Sequence, residues 1–208
     1  MKTKLDLNNW NRADHFEFYS KMEEPFYGLT FTINCTQAYI QAKVLNIPFY
    51  TYYLHKILVA INSVENLKYR IIENQVYCYD RVDASATILR EDKTFGFSLI
   101  EFSEDINQFD KNVIAETTRV QNTTGLFTRE FPESNLIHFS ALPLINFTSL
   151  SHARSYTFLD SCPKISVGKL TEINSQKSIP VSIHVHHALV DGYHIGLFID
   201  SFEKQMNL

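Results

Sequence analysis

Ile179-Pro180-Val181-Ser182-Ile183-His184-Val185-His186-His187-Ala188-Leu189-Val190-Asp191-Gly192 is the stretch that decides how this chain is read. Apolar residues take every second position from Ile179 to Val185, the period of a strand with one apolar face. Carried one step further, the alternation assigns His187 to that face and turns His186 the other way. Beyond Gly192 the period changes, and Ile195, Phe198, Phe202 and Met206 recur at three and four residues as the stripe of an amphipathic helix. The two histidines and the aspartate therefore stand where a strand gives way to a helix.

Outward from this point, alternation marks a strand at Gly28 to Asn34, a hairpin of Tyr69 to Ile72 with Val76 to Tyr79, and further strands at Ser85 to Leu89, Gly96 to Phe102, Leu136 to Ala141 and Lys164 to Leu170. Helical spacing appears after Pro48, through Leu54, Ile57, Leu58 and Ile61, and again through Ile106, Phe109, Val113 and Val120 behind a candidate cap at Asp105. Strands interspersed with a few helices, without regular alternation, predict an α+β class with a mixed, largely antiparallel sheet. No repeat and no Pro/Gly/Ser linker divides the chain, so residues 1–208 read as a single domain.

Composition narrows the function classes. The 208 residues are 45% hydrophobic and 13% aromatic, ample for a packed core, and 19 Lys+Arg against 23 Asp+Glu leave a net charge of −4. A slightly acidic chain without a basic block lacks the footprint of a nucleic-acid or anionic-membrane binder. Its most apolar run, around Tyr50 to Ile61, is interrupted by His55 and Lys56 and is too short to cross a bilayer. The opening MKTKLDLNNWNRADHF has no apolar secretory segment, so a cytoplasmic location is expected. Cys35, Cys78 and Cys162, odd in number and widely spaced, fit buried reduced thiols.

The chemistry lies in His187-x-x-x-Asp191-Gly192. An HxxxDG match arises by chance only roughly 0.01 times in a chain of this composition. An imidazole held among apolar neighbours stays neutral, as a general base must, which favours His187. Asp191 is placed to cap the helix or to join an ion pair, and Gly192 to give the turn backbone freedom.

The run HHALVDGYH at 186–194 resembles the signature of the chloramphenicol acetyltransferases, and Trp10-Asn11-Arg12-Ala13-Asp14-His15-Phe16-Glu17-Phe18-Tyr19 is similar to that family's opening. Phe49-Tyr50, Thr94-Phe95, Asp105-Ile106-Asn107-Gln108-Phe109 and Ser140-Ala141-Leu142-Pro143 through Ser149 follow in family order, so the resemblance spans nearly the whole chain. It implies one acetyltransferase domain that moves an acetyl group from acetyl-CoA, as co-substrate and without a metal, to the primary hydroxyl of chloramphenicol. By the same resemblance His187 is the general base and Ser149 the oxyanion stabiliser. Asp191 and Arg12 form a structural ion pair, Phe18, Tyr19, Phe95 and Ser166 belong to the acceptor site, and Lys169 lies on the coenzyme side. The family's assembly implies a homotrimer with active sites between subunits.

The chain departs from the family pattern at Pro48, Thr51 and Leu170 around the coenzyme, at Leu144 where the family has tryptophan, and at Phe97 where a smaller pocket residue is usual. Phe97 and Leu144 motivate an alternative, a related O-acyltransferase with another small hydroxylated acceptor. Two further readings use the same residue types. A Ser149–His187–Asp191 hydrolytic triad lacks a G-x-S-x-G elbow, and a His184/His186/His194 metal set lacks a completing carboxylate or cysteine at a recognised spacing.

Overall fold

The computed structural model describes residues 1–131, 133–154 and 160–208. Among them, ten strands and five α-helices follow in the order β1 (Lys2–Lys4), α1 (Ala13–Tyr19), β2 (Phe26–Asn34), α2 (Thr36–Val44), α3 (Phe49–Ser63), β3 (Tyr69–Ile72), β4 (Gln75–Tyr79), β5 (Asp83–Leu89), β6 (Phe95–Phe97), α4 (Ile106–Gln121), β7 (Leu136–Ala141), β8 (Lys164–Val167), β9 (Thr171–Ile173), β10 (Gln176–His186) and α5 (Gly192–Met206). The class is α+β. A seven-stranded mixed sheet runs β2-β10-β8-β7-β5-β6, with β9 paired to β10, and β1-β4-β3 form a small antiparallel sheet. β5, β7 and β8 are mutually parallel neighbours, and the other pairings are antiparallel.

The long strand β10 organises the molecule. It pairs with β2 over nine residues, from Ser178 opposite Asn34 to His186 opposite Phe26. Ile179, Val181, Ile183 and Val185 are all at most 1% exposed, and they join a core that includes α3 and α5, where Phe198 meets Phe31 edge-on. The polar positions Ser182, His184 and His186 are buried too. As a central strand covered on both faces, β10 shows that its alternation separates apolar from polar contacts rather than inside from outside.

The structure corrects four sequence expectations. The strand predicted over Gly96 to Phe102 stops at Phe97, because Ser98 Oγ enters the ladder, accepting from Ala86 N (3.1 Å) and donating to Ala86 O (2.9 Å); only the Ala84–Ile100 bridge follows. The strand predicted to reach Leu170 ends at Val167: Pro180 opposite lacks an N–H, and Lys169 N turns away to Ile145 O (2.8 Å). β10 ends at His186, one residue short of His187, whose N–H makes one bond to Pro25 O (2.8 Å) before the chain turns, while its ring still lies on Tyr27, the cross-strand partner of Val185. Gly192 has no positive φ and open space around its Cβ position, so the turn does not depend on glycine there.

Candidate active site

α1 and β10 meet at their C-terminal ends because β2, which follows α1, is zipped antiparallel against β10. Tyr19, the last residue of α1, lies flat on the His187 ring with centroids 4.0 Å apart and planes at 15°. Tyr27 flanks the same ring at 4.3 Å. The imidazole is half-buried between two phenol rings, and its Nδ1 is buried without a hydrogen-bond partner among the described residues. Burial and the nearby Asp191 carboxylate push the Tyr27 phenol up to about 12, so it stays protonated at neutral pH.

The loop from His187 to Asp191 is clamped at both ends by one guanidinium. Arg12, just before α1 and 6% exposed, donates from Nη1 to Asp191 Oδ2 (2.5 Å) and from Nη2 to the His187 carbonyl (3.2 Å). Asp191 caps α5, its Oδ1 accepting from Tyr193 N (3.0 Å). Partial burial works against this carboxylate, but Arg12 and His194 outweigh it and hold its pKa below the ordinary value of 3.8. Asp191 thus makes its contacts to Arg12, Tyr193 and His194, and no hydrogen bond among the described residues joins it to the His187 ring. That geometry does not build the hydrolytic triad.

Of the other predicted residues, Phe18 is 60% exposed and meets Tyr19 edge-on at 5.1 Å. Phe95 is partly exposed and packs on Phe97 at 5.8 Å. Ser166 is completely buried in β8, and its Oγ has no hydrogen-bond partner among the described residues. Ser149 and Lys169 are exposed. Within one chain, then, His187, Tyr19, Arg12 and Asp191 come together, while no hydrogen bond or ring contact among the described residues links Ser149, Phe95, Ser166 or Lys169 to that group.

A cleft of about 390 Å³ opens beside this group, walled by Pro25, Phe26, Phe97 and Phe139. Its polar lining is strongly ionic. Lys164, only 6% exposed, pairs with Asp160, and Arg154 pairs with Glu24 (2.6 Å). Both cations lie on the Phe26 ring, at 4.7 and 5.1 Å. His152 and His186 also face the cleft, and burial pushes each down to about 4, so both are neutral at pH 7.

Sequence reading missed Tyr27 and this ionic lining. Stepping the β2 alternation back by one pair would have put Tyr27 on the face of Leu29, Phe31 and Ile33. No local pattern marks Glu24, Arg154, Asp160 and Lys164, which only the sheet brings together. The His184/His186/His194 set does not assemble: His184 packs edge-on against His152, and His194 belongs to Asp191. His138, Asp160 and Cys162 do bring donor atoms within 4.8 Å of one another. There the Lys164 ammonium already pairs with Asp160, and burial raises the Cys162 pKa.

The family model for chloramphenicol acetyltransferase matches residues 1–203. The chain belongs to this family. It is accordingly an acyltransferase. Chloramphenicol acetyltransferase 3 of Escherichia coli is 31% identical over 207 residues, covering 99% of this chain and 97% of that protein. The Campylobacter coli chloramphenicol acetyltransferase is 28% identical, covering 99% and 98%. A solved chloramphenicol acetyltransferase superposes with a TM-score of 0.87 at 24% identity, covering 99% of this chain and all of that one. The fold extends further, to the dihydrolipoamide acetyltransferase of Azotobacter vinelandii, with a TM-score of 0.67 at 10% identity over 94% of this chain and 86% of that one.

Among the described residues no helix is long and apolar enough to cross a membrane.

Proposed function

We propose that this acyltransferase moves the acetyl group of acetyl-CoA to the primary hydroxyl of chloramphenicol, with His187 as general base. The observation that carries the reading is the His187 imidazole, fixed between Tyr19 and Tyr27 while Arg12 grips the carbonyl of the same residue. With Nδ1 buried, Nε2 is the nitrogen left to meet an acceptor hydroxyl. It takes the hydroxyl proton as the oxygen attacks the thioester carbonyl, a contribution worth roughly 10²–10⁴-fold. The tetrahedral oxyanion is stabilised by the Ser149 hydroxyl, a donor worth about 3–4 kcal/mol in such a role. Collapse breaks the carbon–sulfur bond, and the departing thiolate recovers the proton from the imidazolium.

The remaining assignments follow the family pattern. Arg12 and Asp191 hold the loop, Phe18, Tyr19, Phe95 and Ser166 belong to the acceptor site, Lys169 faces the coenzyme, and no metal takes part. The enzyme works as a cytoplasmic homotrimer of single-domain subunits. A site shared between subunits accounts for Ser149, Phe95 and Lys169 standing apart from His187 within one chain.

The ionic cleft favours a second acceptor. Covering the Arg154–Glu24 pair, the more exposed of the two, with an apolar ring desolvates its charges, which is costly unless the ligand answers them with polar groups. A small hydroxylated compound richer in polar or ionised groups meets this lining better.

Release of coenzyme A thiol from acetyl-CoA, followed with a thiol reagent, tests the reading. Chloramphenicol-dependent release that disappears in His187→Ala is the expected result. Full activity in His187→Ala overturns the mechanism. Release with polar hydroxylated acceptors but not with chloramphenicol selects the second acceptor.

A further inference from the structure

The cleft is ionic, yet its buried charges balance. Lys164 pairs with Asp160 and Arg154 with Glu24, and the exposed Glu23 adds one charge at the rim, where water and salt screen it. Burial keeps the imidazoles of His138, His152 and His186 neutral at pH 7. These groups retain hydrogen-bonding capacity of both kinds. Among the described residues the Lys164 ammonium donates only to Asp160, so two of its three N–H groups remain. Asp160 Oδ1 accepts from Cys162 N (2.8 Å), and each carboxylate oxygen keeps a second lone pair. His186 Nδ1 accepts from Ala188 N (3.3 Å), so its single proton is on Nε2, on the ring edge away from its own turn. Ser85 of β5 and Ser140 of β7 add hydroxyls to the same lining.

An anionic ligand has to displace Asp160 or Glu24 from its cation, and a cationic one stands against Lys164 or Arg154. An apolar ligand strands the remaining Lys164 donors and the His186 N–H. A hydroxyl donates and accepts through one atom, so adjacent hydroxyls match an ammonium and a carboxylate set side by side. We infer that the acceptor is a neutral polyhydroxylated compound, a polyol or sugar, whose hydroxyls are gripped by Lys164 and Asp160 while Phe97 and Phe139 face its C–H groups. This rests on the acyl-transfer reading and gives the second acceptor its chemical class. One hydroxyl gains the acetyl group as an ester, the thioester carbon–sulfur bond breaks, and the hydroxyl proton leaves on the coenzyme A thiol.

D-Glucitol, D-gluconate and N-methyl-D-glucamine share one polyol chain ending in a primary hydroxyl and are neutral, anionic and cationic at neutral pH. In the thiol-release assay, kcat/KM is expected to be roughly 10-fold or more higher for D-glucitol than for either charged analogue or for chloramphenicol, the scale of one buried donor left unsatisfied. The double variant Lys164→Met with Asp160→Asn removes both charges and keeps an acceptor for Cys162 N. Its ratio of kcat/KM for D-glucitol to that for chloramphenicol is expected to fall roughly 10-fold, and a ratio taken within one preparation does not depend on how much of the protein is folded. A charged analogue used as well as D-glucitol, a wild type that prefers chloramphenicol, or a ratio unchanged in the double variant overturns the inference. Thiol release with none of the four compounds counts against the proposed reaction instead. Calorimetry of D-glucitol binding then judges the inference: heat seen with wild type and lost in the double variant upholds it, and heat that is absent from wild type or persists in the variant overturns it.

Discussion

Asp191 shows how one side chain converts an electrostatic environment into a pH dependence. Because Arg12 and His194 hold its pKa below 3.8, the folded protein favours the ionised carboxylate more than the unfolded chain does. The resulting stabilisation is fully present above the unfolded pKa and is lost as pH falls through the folded one. Asp191→Asn removes the charge while keeping the shape, and it leaves Arg12, 6% exposed, without its counter-ion. The expected outcome is a Tm gap between wild type and Asp191→Asn that is widest near pH 7 and closes as pH falls below about 3.8, the ordinary value for the group. Melting curves from pH 7 to pH 3 measure it. A gap independent of pH would mean that the shape of the side chain, not its charge, holds the loop.

At the scale of the element, the β2–β10 ladder sets the site, and its tightest point is Gly28. Gly28 faces His184 across the ladder, and a Cβ there would lie 2.3 Å from the imidazole. Gly28→Ala should cost about 1–3 kcal/mol, as over-packing of a filled interior does, read as a lowered denaturant midpoint. His184→Ala in the same chain should return part of that loss, since the two sites share one contact; strictly additive losses would deny the clash. The ladder also marks what the sequence could reveal. β10, the β3–β4 hairpin, the Asp105 cap of α4 and the stripe of α5 were readable because each repeats a period or places a capping side chain. α2 was not, since its buried residues are only Ala38 and Ala42, and α1 has no buried residue at all. His187 was assigned to the correct segment and to the face it shares with Tyr27, but its aromatic partners themselves were not foreseen. Its neighbours Tyr19 and Tyr27 come from other elements, and no periodicity within β10 encodes them.

At the scale of the whole molecule the small β1-β4-β3 sheet must be joined to the large one, and neither sheet order nor this junction is written in any local pattern. Arg70 of β3 makes the junction. Its side chain is completely buried, and its hydrogen bonds run to four backbone carbonyls: Ser134 (2.8 Å) and Leu136 (2.7 Å) at the start of β7, and Leu67 (2.9 Å) and Tyr69 (2.6 Å) on its own side. Among the described residues no carboxylate is one of its hydrogen-bond partners, so peptide dipoles do most of the solvating of the charge. A planar fork with five N–H groups suits that task, and an ammonium does not, because its three donors diverge from one point. Ile71 N adds a bond to Ser161 Oγ (2.8 Å), tying the same strand to the segment before β8. β7 and β8 carry His138 and Lys164 into the ionic cleft, so the junction also sets the spacing of the cleft walls. Arg70→Met should therefore destabilise the fold by at least about 1–3 kcal/mol, the cost of leaving a buried carbonyl without its donor. Arg70→Lys should recover little of this, because one ammonium cannot span carbonyls on both sheets. Urea unfolding of the three proteins measures the difference. A lysine variant as stable as wild type would show that the cation alone, and not the fork, joins the sheets, and it would leave the spacing of the cleft to the apolar contacts of β7.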